Sequence, residues 1–454
     1  MTTIFRITLF MLVLSHNAIA AIQNPNRDTV DFIHYDANLT PSLTEQRLDG
    51  SVEIQFAARK PGVRTLVFSS KYKEIKKISS GQLKLEHNVS DDQLTIMLPK
   101  PLILDRLYRL KIQYSAKPER GMRFYPDHLF TVYHTANWLV SHSNLADKAS
   151  FELRLTHDKT LTSVGNGSLI SQTQIDDKRV RSHWSQPNAI PLYTFGFALG
   201  KFQRQSEQIG HSKLHYLYRP AGQSELSEQN IRTIYQDAAD MVQFFEQKSG
   251  FSLPSPDYHY IMVKGRMAQE ASGFSLVGEA FGHALLEDPH ENWFVAHELA
   301  HEWWGNSITC ASFSHFWLNE GLVQFLVAAY KEHRFGAEAY IKEIELAVSR
   351  VKRAVAKGRS APVAFRHKIQ ESEINRTMTY SKGAMIFHLL RQQLGDRIFW
   401  QTLRQYSQTH RGGSVTTQDL QTAFEQASGT DLSGFFTRWV YGSEIPKLTF
   451  SSRK

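Results

Sequence analysis

Residues 288–305 read DPHENWFVAHELAHEWWG and carry the punctuation of a helix. Asp288 is an N-cap, Pro289 takes the first helical position and Glu291 the third, while Gly305 is placed to stop the run. The pattern predicts a helix over 289–304. His297 and His301 lie four positions apart, about 40° around a helix axis, so both imidazoles project to one side and can share a zinc ion. Glu298, beside the first histidine, is placed to take a proton from a water at the metal.

A catalytic zinc is held by three protein ligands with one position open. Outward from the histidine pair, the third is read in Trp317-Leu318-Asn319-Glu320-Gly321-Leu322. Eighteen residues separate His301 from Glu320, enough for a helix end, a loop and a second, antiparallel helix over 318–335. Trp317, Leu318, Leu322 and Phe325 give Glu320 a buried setting, and a buried acid needs a partner. His297, His301 and Glu320 are therefore the expected ligands of one Zn2+ per chain. His283, His290, His315 and His388 lack ligand spacing.

The chain has two halves of different period. Ser51–Phe56, Gln93–Leu98, Tyr108–Tyr114 and Phe151–Leu155 alternate apolar and polar residues. Turn residues at Pro61-Gly62, Asp91-Asp92 and Gly165-Asn166-Gly167 separate these runs. This reads as antiparallel β structure with one buried face, over 21–204. From 205 to 454 the spacing becomes helical. Ile231, Ile234, Ala238, Met241, Val242 and Phe245 predict one helix ending at Gly250, and Tyr258–Val263 a strand. Further helices are expected from near Tyr380 and over 417–427 and 431–440. The fold class is thus α+β, a β domain followed by a mostly helical one.

Composition bounds the rest. With 41% hydrophobic and 21% charged residues the chain can bury a large core, which excludes a disordered or collagen-like polymer. A net charge of +8 over 454 residues, without a dense basic block, gives no support for nucleic acid as a partner. Arg6, the apolar run Ile7–Leu14 and Ala18-Ile19-Ala20 read as a signal peptide over 1–20, so the mature chain is expected in the periplasm or outside the cell. No later segment reads as a membrane anchor. Cys310 is the sole cysteine, so no internal disulfide forms, and it is expected in the core. Nothing in the sequence sets an oligomeric state.

The histidine pair followed after eighteen residues by glutamate, with Trp303-Trp304-Gly305-Asn306 behind the second histidine and Trp317–Gly321 around the third ligand, resembles the alanyl aminopeptidase family of gluzincin metallopeptidases, which includes leukotriene hydrolase. Tyr380-Ser381-Lys382-Gly383-Ala384 looks like that family's Y-x-K-G-A. Ala146–Phe151, Gly165–Gly167 and Tyr193–Gly200 look like landmarks of its N-terminal β domain. The resemblance covers about residues 28–450. It implies a β-sandwich followed by a thermolysin-like catalytic domain, peptides or proteins as substrate, and Tyr380 as a hydroxyl donor to the oxyanion. The family's G-x-M-E-N segment, whose glutamate binds the substrate's amino group, has no match. Glu270, in Met267-Ala268-Gln269-Glu270-Ala271, is the expected stand-in, with Glu279 behind it. The large helical C-terminal domain common in the family is not expected. The leading reading is a secreted aminopeptidase. The alternatives are a peptide-binding protein that kept the fold and a hydrolase of a non-peptide substrate such as an epoxide.

Overall fold

The computed structural model describes residues 29–142 and 144–448. The signal-peptide reading of residues 1–20 lies outside them. The first half is built of three sheets. The largest runs, in spatial order, Ser168–Gln174, Arg179–Pro191, Lys148–Asp158, Val30–Ser42, Arg47–Ala58, Leu107–Ala116, Lys73–Ser80 and Leu83–Lys84. Alternation buries Val52, Ile54 and Phe56 on one face of Arg47–Ala58. A three-stranded and a four-stranded sheet complete the β half. One pairing departs from the antiparallel expectation: Val30–Ser42 runs parallel to Lys148–Asp158. Side-chain alternation has the same period in both directions, and a parallel pair needs a long crossover that local pattern cannot show.

The polar stretch after residue 203 forms a hairpin, Gln203–Ile209 with Ser212–Tyr218, that opens a five-stranded sheet. Asp257–Val263 runs parallel to Ser212–Tyr218 and to Phe274–Gly278, and Ala268–Ala271 lies antiparallel at the edge. The helices are α1 (Glu228–Ile234), α2 (Ala238–Ser249), α3 (Glu279–Glu287), α4 (Trp293–Ala300), α5 (Trp317–Phe335), α6 (Ala337–Val355), α7 (Gly383–Thr409) and α8 (Thr417–Ser428).

Several expected helices are revised. The run through Ile231 and Phe245 is broken at Tyr235–Asp237 into α1 and α2. The helix expected over 289–304 is shorter. Asp288 accepts from the His290 N–H and caps a 3-10 turn, Pro289–Glu291, and α4 begins only at Trp293. It ends at Ala300, with His301 as C-cap. The 431–440 helix is a short α-turn at Ser433–Phe435 running into a π turn at Phe436–Val440. Helices α3 and α6 were not anticipated. Cys310 is buried and free, as expected. Among the described residues no helix is long and apolar enough to cross a membrane.

Helix α5 is the axis of the helical half. Trp317, at its start, is fully buried, stacks on Phe387 with ring centroids 4.9 Å apart, and donates its indole N–H to Thr417 Oγ1 at 3.0 Å. Truncating such a ring to alanine costs about 3–5 kcal/mol. The anchor sits three residues ahead of Glu320.

Candidate active site

Helices α4 and α5 bring His297, His301 and Glu320 together in a buried cluster. Glu320 Oε2 lies 3.4 Å from Nε2 of each histidine, and the two Nε2 atoms lie 3.2 Å apart. Zinc bonds of about 2.0–2.1 Å in tetrahedral geometry place ligand atoms about 3.3 Å from one another, so the three donors fit that ion. The tautomer fits too. His301 Nδ1 donates to the Trp304 carbonyl at 3.1 Å, which leaves the Nε2 lone pair facing the cluster. Glu320 Oε2 has no hydrogen bond although it is buried. Burial opposes charge on His301, yet the Glu320 carboxylate raises the imidazole to about 10. Glu320 itself is held well below the usual carboxylate range: burial works against this, and the His301 charge beside it wins. Burial lowers His297. The carboxylate that draws a proton to His301 is equally suited to a cation.

Glu298 points into the same region, buried, with Oε2 unpartnered. Burial, and then the neighbouring Glu270, push its carboxyl well above the ordinary value. Tyr380 lies on a π turn, Met378–Lys382, that leads into α7. Its ring stacks at 8° to that of His297, with centroids 6.1 Å apart. Burial keeps its hydroxyl protonated, raised well above 10. The π turn reaches the metal cluster because two glycines meet there. A Cβ on Gly321 would lie 2.9 Å from both Gly383 Cα and Thr379 O. Real side chains do not pack that closely, so the approach of α5 to the π turn requires glycine.

Glu270 is in the site as well. It is buried on the edge strand Ala268–Ala271, and its charge is felt by Glu298, His301 and Tyr380. Burial raises its carboxyl to about 7. Glu279, its runner-up, is engaged elsewhere, accepting from Arg219 at 3.0 and 3.1 Å.

Several framing residues were not anticipated. Glu302, next to His301, is fully buried. It accepts from the Gly273 N–H, Ser255 Oγ and Asn306 Nδ2, each at 2.9 Å, and so fixes the Glu270 hairpin to the end of α4. The β half supplies the rest. Asn166 donates to Thr194 O and Ser272 O at 2.8 Å each, bracing the same hairpin. Lys148 donates to Ser307 O at 2.7 Å and Gly413 O at 2.8 Å. Tyr193 donates to Gly305 O at 3.4 Å. The motifs that read as β-domain landmarks are thus contacts that hold the loops around the site. Tyr133 and His134 stand at φ 44° and 42°, strained for such side chains. Tyr133 donates its hydroxyl to Ala268 O and its N–H to Gln269 Oε1, each at 3.0 Å.

The remaining histidines hold structural positions. His388 bonds Tyr340 Oη at 2.6 Å, His315 bonds Thr417 Oγ1 at 3.0 Å, and His290 bonds its cap, Asp288. His283 lies 3.9 Å from Glu225 at the surface.

A paired-helix zinc cluster beside a β half defines a two-domain metallopeptidase fold, and the comparisons agree. Residues 235–439 match the Peptidase family M1 domain. It is 23% identical to mitochondrial aminopeptidase 2 of Saccharomyces cerevisiae over 94% of this chain and 48% of that protein. It is 25% identical to the puromycin-sensitive aminopeptidase of Caenorhabditis elegans over 93% of this chain and 48% of that protein. The chain therefore spans about half the length of these curated relatives. An M1 zinc metallopeptidase from Deinococcus radiodurans superposes with TM-score 0.78 at 23% identity, covering 92% of this chain and 95% of that one. A mutant of that peptidase bound to a Tyr-Ser-Ala substrate matches equally, at TM-score 0.78 and 23% identity over 92% of this chain and 96% of that one. This likeness establishes the fold. Zinc is the metal that the family and the donor set imply.

Proposed function

We propose that this chain is an exported zinc-dependent aminopeptidase that removes N-terminal residues from peptides. The observation that carries the reading is the convergence of three buried ligand donors with Glu298, Tyr380 and Glu270 in one site. His297, His301 and Glu320 would hold the zinc ion, which when bound would supply a Lewis acid for a carbonyl and for water. The chain's own groups do the rest. Glu298, desolvated and free at Oε2, takes a proton from the attacking water and delivers it to the departing amine. Tyr380 keeps its proton at neutral pH and donates a hydrogen bond to the oxyanion. Glu270 fixes the substrate's α-ammonium, whose positive charge relieves the repulsion between Glu270 and Glu298. Glu298, beside His297 in α4, and Tyr380, whose ring stacks on His297, support an enzyme over a peptide-binding relic. The tripeptide held by the Deinococcus protein supports a peptide over an epoxide. Export rests on the N-terminal sequence pattern.

Elemental analysis of the mature chain, purified without chelator, tests the reading. About one zinc per chain is expected from a complete three-ligand set. Protein with under a tenth of an equivalent, on the order of a trace, and no uptake of added zinc would end it.

A further inference from the structure

Arg376 lies four residues ahead of Tyr380 in the same helical segment, hence one turn away on the same side. Its side chain is 51% exposed, and the nearest carboxylate, Glu371, stands 3.7 Å away and is itself 48% exposed. That is beyond hydrogen-bonding range, so the planar fork of guanidinium donors is unfilled. Yet the charge stands at the site: Tyr380, Tyr133, Glu270 and Glu320 all feel it. A second cation, Arg350 on α6, acts on His297 and makes no hydrogen bond or ion pair among the described residues. The site is therefore polarised. Its interior holds Glu270, Glu298 and Glu320, and arginine stands on the Tyr380 side.

This polarity orders a substrate. If Glu270 takes the α-ammonium and Tyr380 stands at the scissile carbonyl, the next group outward on the Tyr380 side is Arg376. Arginine's fork matches a carboxylate with two parallel N–H···O bonds, which lysine cannot reproduce. We infer that Arg376 is a specificity-determining residue that holds a carboxylate on the leaving-group side of the cut. The preferred substrates are then short peptides whose carboxylate lies one or two residues past the scissile bond. This rests on the aminopeptidase reading above and deepens it. The carboxylate has two sources, the free C-terminus of a di- or tripeptide and an acidic side chain beyond the cut.

The test compares Leu-Gly with Leu-Gly-amide, and Leu-Asp-amide with Leu-Asn-amide. Wild type should favour the carboxylate member of a pair by about 10- to 100-fold in kcat/KM, expressed in KM, the range for one charge-assisted hydrogen bond. The pair that shows the preference identifies the source. Arg376→Ala should shrink that ratio towards one, and Arg376→Lys should restore part of it. Thermal melting of each variant controls for folding. No preference in wild type, or a preference that survives Arg376→Ala, overturns the assignment. So does an equal loss of kcat on both members of a pair, which would make Arg376 a positioning residue for Tyr380. Should wild type cleave no peptide at all, the aminopeptidase reading falls on its own. Calorimetric binding of Leu-Gly against Leu-Gly-amide then decides the carboxylate site by the same ratios.

Discussion

Gly321→Ala should damage catalysis without touching a single reacting group. The added Cβ meets three backbone atoms: Gly383 Cα and Thr379 O at 2.9 Å and Gly383 C at 3.2 Å. None is the end of a side chain that could swing aside. Ordinary contact begins near 3.5 Å, so α5 and the π turn must part by roughly 0.5–1 Å. Overpacking of this kind costs about 1–3 kcal/mol of stability. The catalytic effect is larger in proportion. Glu320 precedes the substituted position and Tyr380 follows Thr379, so the metal cluster and the hydroxyl donor move apart. A misplacement approaching 1 Å costs on the order of 10²-fold in rate. Urea denaturation gives the stability change, and kcat on a free-amine dipeptide gives the rate, with zinc content measured alongside. Loss of kcat with zinc retained is expected. Wild-type stability together with wild-type kcat would show that the glycine contact does not set Tyr380. Gly383→Ala makes one short contact, with Gly321 Cα at 2.8 Å, and should be milder.

Glu298→Gln should abolish turnover while zinc stays bound, because the amide cannot take a proton; activity near wild type would remove Glu298 as the base. Tyr380→Phe should lower kcat by about 10²–10³ with little change in KM, the size of one oxyanion donor; a full rate would leave Tyr380 a packing residue. The pH profile follows from Glu270, raised to about 7 by burial. For free-amine peptides kcat/KM should rise through about pH 7 as Glu270 ionises. It should fall as the peptide's α-amine, pKa about 7.7–8.0, loses its charge. Glu270→Gln should shift the rising limb to lower pH, because Glu298, whose carboxyl is also raised, loses the repulsion of a neighbouring carboxylate. The same shift has a stability sign. Between the ordinary 4.5 and about 7 the folded state holds a proton that the unfolded chain has released. This contribution is therefore full below 4.5 and lost as pH rises through about 7, and Glu270→Gln should flatten the dependence in denaturant titrations.

Much of the site is written in local spacing. His297 and His301 are four apart, and the apolar neighbours of Glu320 mark a buried acid, so the ligand set is legible without a fold. Glu270 is legible only by resemblance, as a stand-in for a missing motif, and the fold buries it where its charge reaches His301. Other features have no local signal. Glu302 sits in the same run as the ligands, but its partners Ser255 and Gly273 come from a distant turn and hairpin. Lys148 reads as one more lysine in a strand until the fold brings the Ser307 and Gly413 carbonyls to it. Arg376 lies in no motif of the sequence, and only its place one turn before Tyr380 singles it out. The helix over 289–304 was overextended because its apolar pattern continues through Trp303 and Trp304. The chain instead turns at His301 so that Nδ1 meets the Trp304 carbonyl. Helix α6 is amphipathic along its whole length but carries no motif that marks it in the sequence.

In the proposed function, Glu270 and the zinc ligands together form an N-terminus-trimming site. One measurement meets it directly: cleavage of a single peptide library in free-amine and N-acetylated form by the zinc-loaded protein. Loss of a partly desolvated ion pair costs about 2–3 kcal/mol, so free-amine peptides should be favoured by roughly 30- to 150-fold in kcat/KM, with release of the first residue. Equal cleavage of both forms, or cuts at internal bonds, would contradict it.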